Sequence, residues 1–537
     1  MERLEGSNVA VKTGIFGDLT GNLARATEHQ EGVAAVVVEW PDLDARLGLR
    51  ASGGWSRSIR LDIAKTVAAR LMQLADLIEG LASGTPVALA GPSLPLPPLG
   101  HTPPDQATTF ELLLQEHVLT FLRRMSERPG VRVVHPTWLE NVSPLSQRLD
   151  PRLEILAGFP YSLKHADALA AALVNLLYPR VAKKGLIVDL DDTLWAGIVG
   201  EVGVESISWH QEHGTQIHAL LQQMLGQLAE SGVLLAIASK NEAAIVRQAL
   251  QRPDLLLPAD SFFPVIAGWG PKSAAVKEIL QAWNVGAESV VILDDNPMEL
   301  EEVRSLFPEV TGLRFTPGDP AAVWRLLGEL RELFGKQEVH TEDVLRASSL
   351  RAGEAFRSAG GNLNNGTAGA EFLASLGGCV EIDYRLASAD ERYLELINKT
   401  NQFNLNGARM TQAEWNAALH ADGAVAVTVS YRDKFGPLGR IAVLLGRRAP
   451  DHIRVTAWAM SCRAFSRKIE YHLLDSMFGE FDVECLLFDF RATSRNEPLQ
   501  SFFRDLGVFT PAAEPLRLSR GDFRRRPPLP HEVRVWS

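Results

Sequence analysis

Residues 186–201 read LIVDLDDTLWAGIVGE, and this stretch decides the fold of the segment around it. An apolar, partly β-branched run is followed at once by three carboxylates in four positions: Asp189, Asp191 and Asp192. The apolar run predicts a buried strand. Because ligands of parallel sheets bind beyond the carboxyl ends of the strands, the acidic end of this strand predicts a polar site there.

Three further short segments of the same region end in polar or charged residues. AIASKN supplies Ser239, GWGPKSAAV supplies Lys272, and VVILDDNPMELEEV supplies Asp294 and Asp295. Strands are predicted over 185–190, 233–238, 262–267 and 289–293, with helical stretches between them. This alternation predicts a doubly wound α/β domain over 183–335, in which these side chains meet at one edge of the sheet.

Carboxylates brought together in this number repel one another unless a cation joins them. Mg²⁺ prefers hard oxygen ligands and leaves room for a phosphate, so we predict Mg²⁺ ligation by the four residues Asp189, Asp191, Asp294 and Asp295. Asp189 would attack phosphorus as a covalent nucleophile. Asp191 lies on the same side of an extended chain and would serve as general acid and then base.

Ser239 and Lys272 would bind the phosphoryl oxygens, and the lysine would also offset negative charge. The alternative is that these are ordinary turn residues at strand ends, where Asp and Ser are common. The tendency of Asp and Ser to form turns does not explain why all four segments end in these polar residues, in this order along the chain.

The order DxDxT, Ser, Lys and DD resembles the haloacid dehalogenase (HAD) superfamily over about 150 residues. The extension TLWAGIVGE resembles its FkbH-like branch, subfamily IIIC, although Asp192 stands where that branch carries Asn. The resemblance implies a Rossmannoid parallel-sheet phosphatase domain. The connection after Trp195 is short, which predicts a minimal cap and an open site.

The C-terminal region extends this resemblance to residues 183–510. Four blocks look like the acetyltransferase-like half of FkbH-like proteins: LINKTNQFNLNGARMT, YRDKFGPLGRIAVLLG, WAMSCRAFSRKIE and ATSRNEPLQSFFRDLGV. The strand-rich segments AVAVTVSY, GRIAVLLG and IRVTAWAM predict successive antiparallel strands. The expected domains are therefore an HAD-like domain over 183–335, a linker with a short helix over 336–378, and a GNAT-like α+β domain over 379–537.

The family resemblance implies a Mg²⁺-dependent glyceryltransferase/phosphatase. Such a protein takes D-1,3-bisphosphoglycerate, removes phosphate and loads a glyceryl unit onto the phosphopantetheine thiol of an acyl carrier protein for polyketide biosynthesis. The alternatives are an HAD phosphatase acting on another carrier-bound or free phosphate ester, and a C-terminal domain that only docks the carrier.

Cys462 is the candidate acyl acceptor among three cysteines. Arg463, Arg467 and Lys468 follow it at the expected start of a helix, and both features lower the pKa of a thiol. The alternative is a small buried residue. Ser466 and Lys468 replace two glycines of the family's RxxGxG-type turn, which argues against a coenzyme A-like pose there.

The segment NKTNQFN is unusually dense in amides. Asn401, Gln402 and Asn404 are predicted to bind glycerate hydroxyls or pantetheine amides, together with Arg463 and Lys468. The alternative for the amides is local turn and cap bonding.

Residues 1–182 alternate strand-like and helical stretches, which predicts a further α/β domain. VEWPDLDARLG resembles the SGNH-hydrolase-like domain found before some FkbH-like proteins, but Leu19 stands where a GDS-type hydrolase carries serine, so hydrolase activity is not expected. A helix is predicted over 57–82, and strands over 34–40 and 131–138.

Bulk composition limits the class of protein. A chain of 537 residues predicts roughly two to four domains. The net charge of −11 argues against nucleic-acid or membrane-surface binding. The N-terminus has no long apolar run of a secretory signal, and three spaced cysteines form no disulfide framework, so a cytoplasmic location is expected.

Overall fold

The computed structural model describes residues 10–15, 17–29, 32–51, 55–99, 102–337, 339, 343, 350–351, 373–385, 391–434, 436–461, 464–465, 467–493, 495–508, 515–523 and 529–536. Cys462, Arg463 and most of the predicted linker over 336–378 lie outside these residues. The chain divides into two compact units, Met1–Val181 and Ala182–Ser537.

Unit 1 (Met1–Val181) is built on a three-stranded parallel sheet in the order β1-β2-β3. Its strands are β1 (Ala34–Val37), β2 (Val87–Ala90) and β3 (Val131–Val133). Its helices are α1 (Leu19–His29), α2 (Trp40–Leu43), α3 (Arg57–Ala82), α4 (Thr109–Ser126), α5 (Pro136–Val142), α6 (Pro151–Ala157) and α7 (Leu163–Leu177). The core lies between the sheet and the apolar stripe of α3 that includes Ile63, Val67, Leu71 and Leu74.

The helix predicted over 57–82 is confirmed by α3, whereas the strand predicted over 131–138 is too long. That strand ends at Val133, because Pro136 opens α5 and proline's fixed φ suits a first helical turn. The side chain of His135 accepts a hydrogen bond from the N–H of Trp138 at 3.1 Å, which caps the new helix.

Unit 2 (Ala182–Ser537) contains two sheets, of which the first is parallel throughout, in the order β6-β5-β4-β7-β8. Its strands are β4 (Gly185–Val188), β5 (Leu234–Ser239), β6 (Phe262–Ala267), β7 (Val290–Asp294) and β8 (Thr311–Arg314). The helices of this part are α8 (Val199–Val202), α9 (Gln216–Glu230), α10 (Ala243–Leu250), α11 (Lys272–Trp283), α12 (Pro297–Leu306) and α13 (Pro320–Phe334).

The second sheet of unit 2 has seven strands in the order β14-β13-β12-β11-β10-β9-β15. The strands are β9 (Cys379–Asp383), β10 (Ala424–Asp433), β11 (Gly436–Arg448), β12 (His452–Met460), β13 (Cys485–Phe488), β14 (Leu516–Ser519) and β15 (Glu532–Trp536). The helices are α14 (Glu391–Lys399), α15 (Gln412–His420), α16 (Ile469–Phe481), α17 (Glu497–Asp505) and α18 (Arg520–Phe523).

The three predicted antiparallel strands are neighbours in this second sheet, since β10 pairs with β11 and β11 with β12. The β12–β13 and β9–β15 pairs are parallel, so the sheet is mixed. The protein is thus an α/β protein with parallel-sheet domains and one mixed sheet. Among the helices that the structure describes, none has the length and apolar character needed to cross a bilayer.

A buried polar network follows the first two strands of unit 1. Glu39, just after β1, accepts hydrogen bonds from the N–H groups of Ser93 at 3.0 Å and Leu94 at 3.2 Å. The hydroxyl of Ser93 also donates to Glu39 and lies 2.9 Å from the ring of His165. Burial raises the pKa of Glu39 to about 7 and lowers the pKa of His165 to about 4.

The raised pKa of Glu39 makes the stability of unit 1 depend on pH. The contribution is fully present below the ordinary pKa of 4.5 and is lost as pH rises through about 7. The shift corresponds to about 3 kcal/mol. Glu39→Gln keeps an acceptor for both N–H groups, and its amide can donate to the hydroxyl of Ser93. We expect this variant to unfold at higher urea than wild type at pH 8, with higher hydrogen-exchange protection in β2.

The control is Glu127→Gln, at an exposed carboxylate paired with Arg123. It should change the pH dependence of unfolding little. Equal loss of stability from pH 5 to pH 8 in wild type and Glu39→Gln would contradict the assignment of this titration to Glu39.

Candidate active site

The predicted site residues of the parallel sheet lie at its carboxyl edge. Asp189 follows β4, and its N–H donates to the carbonyl of Leu293 at 3.0 Å. Asp294 is the last residue of β7, and Ser239 is the last residue of β5. Because β4 lies between β5 and β7, the parallel register brings the three strand ends side by side. Lys272 reaches the same edge as the first residue of α11.

Lys272 is the centre of this site. Its ammonium Nζ lies 2.6 Å from Asp189 Oδ1, 2.7 Å from Asp294 Oδ2 and 2.9 Å from Glu299 Oε2. It also donates to the carbonyl of Ala238 at 2.9 Å. The side chain is buried, and burial alone would lower its pKa, but the surrounding carboxylates raise the pKa above the ordinary value. Lys272 therefore stays charged and binds the acidic residues together.

The carboxylates around Lys272 still carry an excess of negative charge. Burial raises the pKa of Asp189 and of Asp294 despite the attraction of Lys272. Burial also raises the pKa of Asp295, with further contributions from the nearby carboxylates of Asp294 and Asp192. Burial thus disfavours the charged form of each carboxylate, and one ammonium faces the three carboxylates of Asp189, Asp294 and Glu299. By this count of charges, a further cation would be stabilised at this edge.

Among the residues that the structure describes, one group of three carboxylates could hold a metal ion. Asp189, Asp294 and Glu299 each offer an oxygen, and these oxygens lie within 4.8 Å of one another, close enough to hold a metal ion. Glu299 is thus a candidate ligand beside the predicted Asp189 and Asp294, while the predicted Asp191 and Asp295 are not members of this group. Asp295 Oδ1 accepts a hydrogen bond from the Thr193 hydroxyl at 3.5 Å.

The carboxylate of Asp191 is held by three donors. Its Oδ1 accepts from Trp195 Nε1 and from the N–H of Val199, both at 3.0 Å, and its Oδ2 accepts from Asn241 Nδ2 at 2.8 Å. Asn241 is buried and also donates to the Ser239 hydroxyl at 3.0 Å. Asn241 thus joins the predicted acid/base residue to the predicted phosphate-binding serine.

Loss of Asn241 should impair the acid/base residue without unfolding the sheet. Hydrogen bonds to charged groups contribute about 1.5–3 kcal/mol, so we expect Asn241→Leu to slow phosphate release about 10- to 100-fold. Asn416→Leu, at an exposed amide in α15, is the matched control and should release phosphate at the wild-type rate. An unchanged rate in Asn241→Leu would show that this amide does not position Asp191.

Asp192 shapes the turn after the strand. Its φ is 51°, in the left-handed region, which Asp and Asn adopt more readily than most residues. Its Oδ1 accepts a hydrogen bond from the N–H of Gly197 at 2.8 Å. An Asn carbonyl could accept the same bond, so the exchange preserves this turn.

The predicted amides of the C-terminal region separate into two groups. Asn401 and Gln402 line a cleft of about 490 Å³ with Thr400, Ser461 and the end of α11. Asn404 is buried, and its Nδ2 donates to the carbonyls of Ile397 and Thr400, both at 3.1 Å. Its Oδ1 accepts from the N–H of Gly407 at 2.9 Å. These bonds hold the loop around Asn404 together, as the turn-bonding alternative describes.

The structure describes several residues on either side of Cys462, and these bear on the surroundings expected for the cysteine. Helix α16 begins at Ile469, directly after Lys468 and seven positions beyond Cys462, which itself lies outside the described residues. Arg467 is buried, and its Nε lies 2.9 Å from Asp433 Oδ2, so its charge is paired with that carboxylate. The other two cysteines, Cys379 and Cys485, are buried.

Lys468 precedes α16 with a φ of 54°. This left-handed conformation is one that glycine adopts without strain. The backbone at Lys468 thus has a glycine-type conformation although a side chain is present.

Three comparisons with known proteins give little further information. No family model matches the chain, and no curated protein matches it. A solved structure of the N-terminal part of the protein BF1531 from Bacteroides fragilis, described as containing a phosphatase domain complexed with Mg, matches at 18% identity and a TM-score of 0.42. The match covers 61% of this chain and all of the other. We draw no conclusion from a likeness this low.

Proposed function

We propose that the protein is a Mg²⁺-dependent glyceryltransferase/phosphatase. It uses D-1,3-bisphosphoglycerate, removes phosphate and loads a glyceryl unit onto the phosphopantetheine thiol of an acyl carrier protein. One observation carries the phosphatase part: at the carboxyl edge of the sheet, Lys272 Nζ lies 2.6 Å from Asp189 Oδ1 and 2.7 Å from Asp294 Oδ2. Asp191 is held at the same edge through its hydrogen bond from Asn241.

The phosphatase step uses this chain's own residues. Asp189 attacks the phosphorus of the ester, and the bond between phosphorus and the substrate oxygen breaks. Asp191 donates a proton to the departing oxygen and then takes one from the water that cleaves the aspartyl phosphate. Trp195, Val199 and Asn241 fix the Asp191 carboxylate for both transfers. Lys272 holds Asp189 through its 2.6 Å contact.

The donor set fits magnesium. All the candidate ligands at this edge are carboxylates, the hard oxygen donors that Mg²⁺ prefers, and three of them contact the single ammonium of Lys272. We propose that Asp189 and Asp294 hold the ion, with Asp191 and Asp295 as the further predicted ligands. A bound Mg²⁺ would offset the charge that the phosphoryl group brings. EDTA is expected to stop phosphate release.

The transfer part of the proposal rests on the C-terminal resemblance and on the cleft lined by Asn401 and Gln402. A thiolate is a suitable nucleophile for an acyl phosphate. The proposed acceptors are the carrier's pantetheine thiol and, before it, Cys462.

One observation favours a second candidate function. Arg467, one of the cations expected to lower the pKa of the Cys462 thiol, is paired with Asp433, and α16 begins at Ile469, beyond all three basic residues. The second candidate is an HAD phosphatase acting on another carrier-bound or free phosphate ester, with a C-terminal domain that only docks the carrier.

One incubation separates these functions. Wild-type protein is mixed with D-1,3-bisphosphoglycerate, Mg²⁺ and a holo carrier, and the intact carrier is weighed by mass spectrometry. A glyceryl adduct on the carrier supports glyceryl transfer, whereas phosphate release with an unloaded carrier supports the second candidate. Cys462→Ala then tests the covalent role, since full loading by this variant would exclude it.

A further inference from the structure

Three large apolar side chains are exposed at the carboxyl edge of the parallel sheet. Trp269 and Met298 are each 79% exposed, the highest value of any large apolar side chain among the residues that the structure describes, and Ile198 is 42% exposed. Single exposed apolar residues are common on protein surfaces. What needs an explanation is that the two most exposed ones stand at the same edge as a site of buried charged groups.

Ile198 stands beside the predicted acid/base residue. It precedes Val199, the first residue of α8, whose N–H donates to Asp191 Oδ1 at 3.0 Å. The segment 189–215, which the structure describes throughout, contains the four-residue helix α8 and one 3₁₀ turn. No cap domain is inserted within this segment, so the segment leaves Ile198 accessible to a substrate.

Trp269 stands beside the predicted phosphate-binding serine. It follows Gly268, whose N–H donates to the carbonyl of Ser239 at 3.1 Å. Gly268 and Gly270 flank the tryptophan, and a Cβ added to either glycine would meet no atom within 4 Å. The loop around Trp269 is therefore uncrowded, and a bound molecule has room to lie against the indole.

Met298 stands beside the carboxylate that contacts the central lysine. It lies in the first turn of α12, where its N–H donates to Asn296 Oδ1 at 3.0 Å. The next residue is Glu299, whose Oε2 lies 2.9 Å from Lys272 Nζ. Methionine is flexible and polarisable, so it adapts to apolar groups of different shapes. An exposed methionine at this place suits the apolar part of a ligand.

The three side chains follow three different strands, since Ile198 comes after β4, Trp269 after β6 and Met298 after β7. In the order β6-β5-β4-β7, the outer two strands are three spacings apart, which is about 14 Å at roughly 4.8 Å per spacing. The buried groups of Asp189 and Lys272 lie between them. Ile198, Trp269 and Met298 are called the apolar rim below.

We propose that the apolar rim binds the part of the substrate beyond its phosphate group, so that the site acts on a phosphate monoester whose alcohol part carries an aliphatic chain. This inference rests on the phosphatase part of the proposed function and names the class of ester on which that part acts. Ser239 and Lys272 hold the phosphoryl group, and the chain lies on the rim.

The hydrophobic effect gives the rim its selectivity. A chain that covers the rim removes apolar surface from water, and the gain is roughly proportional to the area covered. A small hydrophilic ester such as glycerol phosphate leaves the rim in water and gains nothing from it. The rim therefore selects the ester by its alcohol part, while the buried polar groups recognise the phosphate that all such esters share.

Chain length tests the rim without a change in the reaction, because ethyl, butyl and hexyl phosphate release alcohols of nearly equal basicity. Phosphate release by the full chain with Mg²⁺ is measured for each ester. We expect kcat/KM to rise about 10-fold from ethyl to hexyl phosphate, less than for full burial of four methylene groups, because a rim covers one side of the chain. The rise should appear mainly as a lower KM, since a non-reacting chain is bound alike in the ground state and the transition state.

Trp269→Ala and Met298→Ala should each lower the ratio of kcat/KM for hexyl to ethyl phosphate, from about 10 to about 2 or 3. The matched controls are Trp324→Ala on α13 and Met72→Ala on α3, whose side chains are 71% and 64% exposed. Both controls should keep the wild-type ratio.

Two kinds of outcome separate the inference from the proposed function. Equal kcat/KM for the three alkyl esters in wild type, or a wild-type ratio in both rim variants, would overturn the inference and leave the phosphatase assignment intact. Phosphate release from D-1,3-bisphosphoglycerate but from none of the alkyl esters would do the same. No release from any of these compounds would overturn the phosphatase assignment and the inference with it.

A second measurement does not depend on turnover. In Asp189→Asn, hexyl phosphate and Mg²⁺ are expected to bind without cleavage of the ester. Hydrogen peroxide oxidises exposed methionine to the sulfoxide, and peptide mass spectrometry follows Met298. We expect hexyl phosphate to slow the oxidation of Met298 severalfold more than ethyl phosphate does, with Met72 unaffected by either. Equal oxidation of Met298 with the two esters would show that the chain does not lie on the rim.

Discussion

Asp189→Asn is expected to abolish the release of inorganic phosphate while the fold is retained. The exchange is nearly isosteric, and it removes the charge that makes the side chain a nucleophile. Asp191→Asn should also be slow, by the roughly 100- to 10,000-fold typical for loss of a general acid/base. The measurement is phosphate release with Mg²⁺, with circular dichroism of each variant to check the fold.

Asp192→Asn is the control for these two variants. Its side chain accepts a bond from Gly197 and lies in a left-handed turn, and Asn satisfies both requirements. We expect it to keep nearly the wild-type rate. Wild-type phosphate release by Asp189→Asn would exclude this aspartate as the nucleophile and remove the phosphatase assignment.

Lys272→Met is expected to cost about 3–5 kcal/mol in the free energy of unfolding of unit 2. The substitution leaves the carboxylates of Asp189, Asp294 and Glu299 buried together without the ammonium that contacts all three. Urea unfolding and hydrogen exchange in β4 and β7 measure this loss. Added Mg²⁺ should restore more stability to the variant than to wild type, because a cation that binds the folded state stabilises it.

Lys240→Met is the matched control for Lys272→Met. Lys240 Nζ lies 3.0 Å from Glu299, but its side chain is about a third exposed, so the loss should stay below about 1 kcal/mol. Equal destabilisation by the two substitutions would show that the buried charge cluster does not hold the two central strands together.

The sequence predicts the strands at the site because each is a short apolar run that ends in polar residues. Strand β6 was predicted over 262–267 and has these bounds, while β4 ends at Val188, two residues before the predicted end. The predicted strand is longer than β4 because the chain turns as soon as the acidic residues begin. The strand predicted over 131–138 differs more from the structure, because Pro136 lies within it and begins helix α5.

The residues that the sequence did not reveal are those selected by side-chain direction. Glu299, Glu301 and Glu302 look alike in the sequence, and only the phase of α12 turns Glu299 towards Lys272. Asn241 follows Ser239 by two positions, and this spacing was the available signal. Arg467 follows Cys462 closely in sequence, but its side chain pairs with Asp433 on β10.

Helix α11 restricts how this sequence can change in length. Its first residue contacts Asp189, and its last packs against Gly185, so both ends are fixed. One inserted residue would turn one end by about 100° relative to the other and move it by about 1.5 Å. Lys272 and Trp283 could then no longer both keep their contacts. Related sequences that retain both contacts should therefore keep this spacing, and insertions should occur in the surrounding loops.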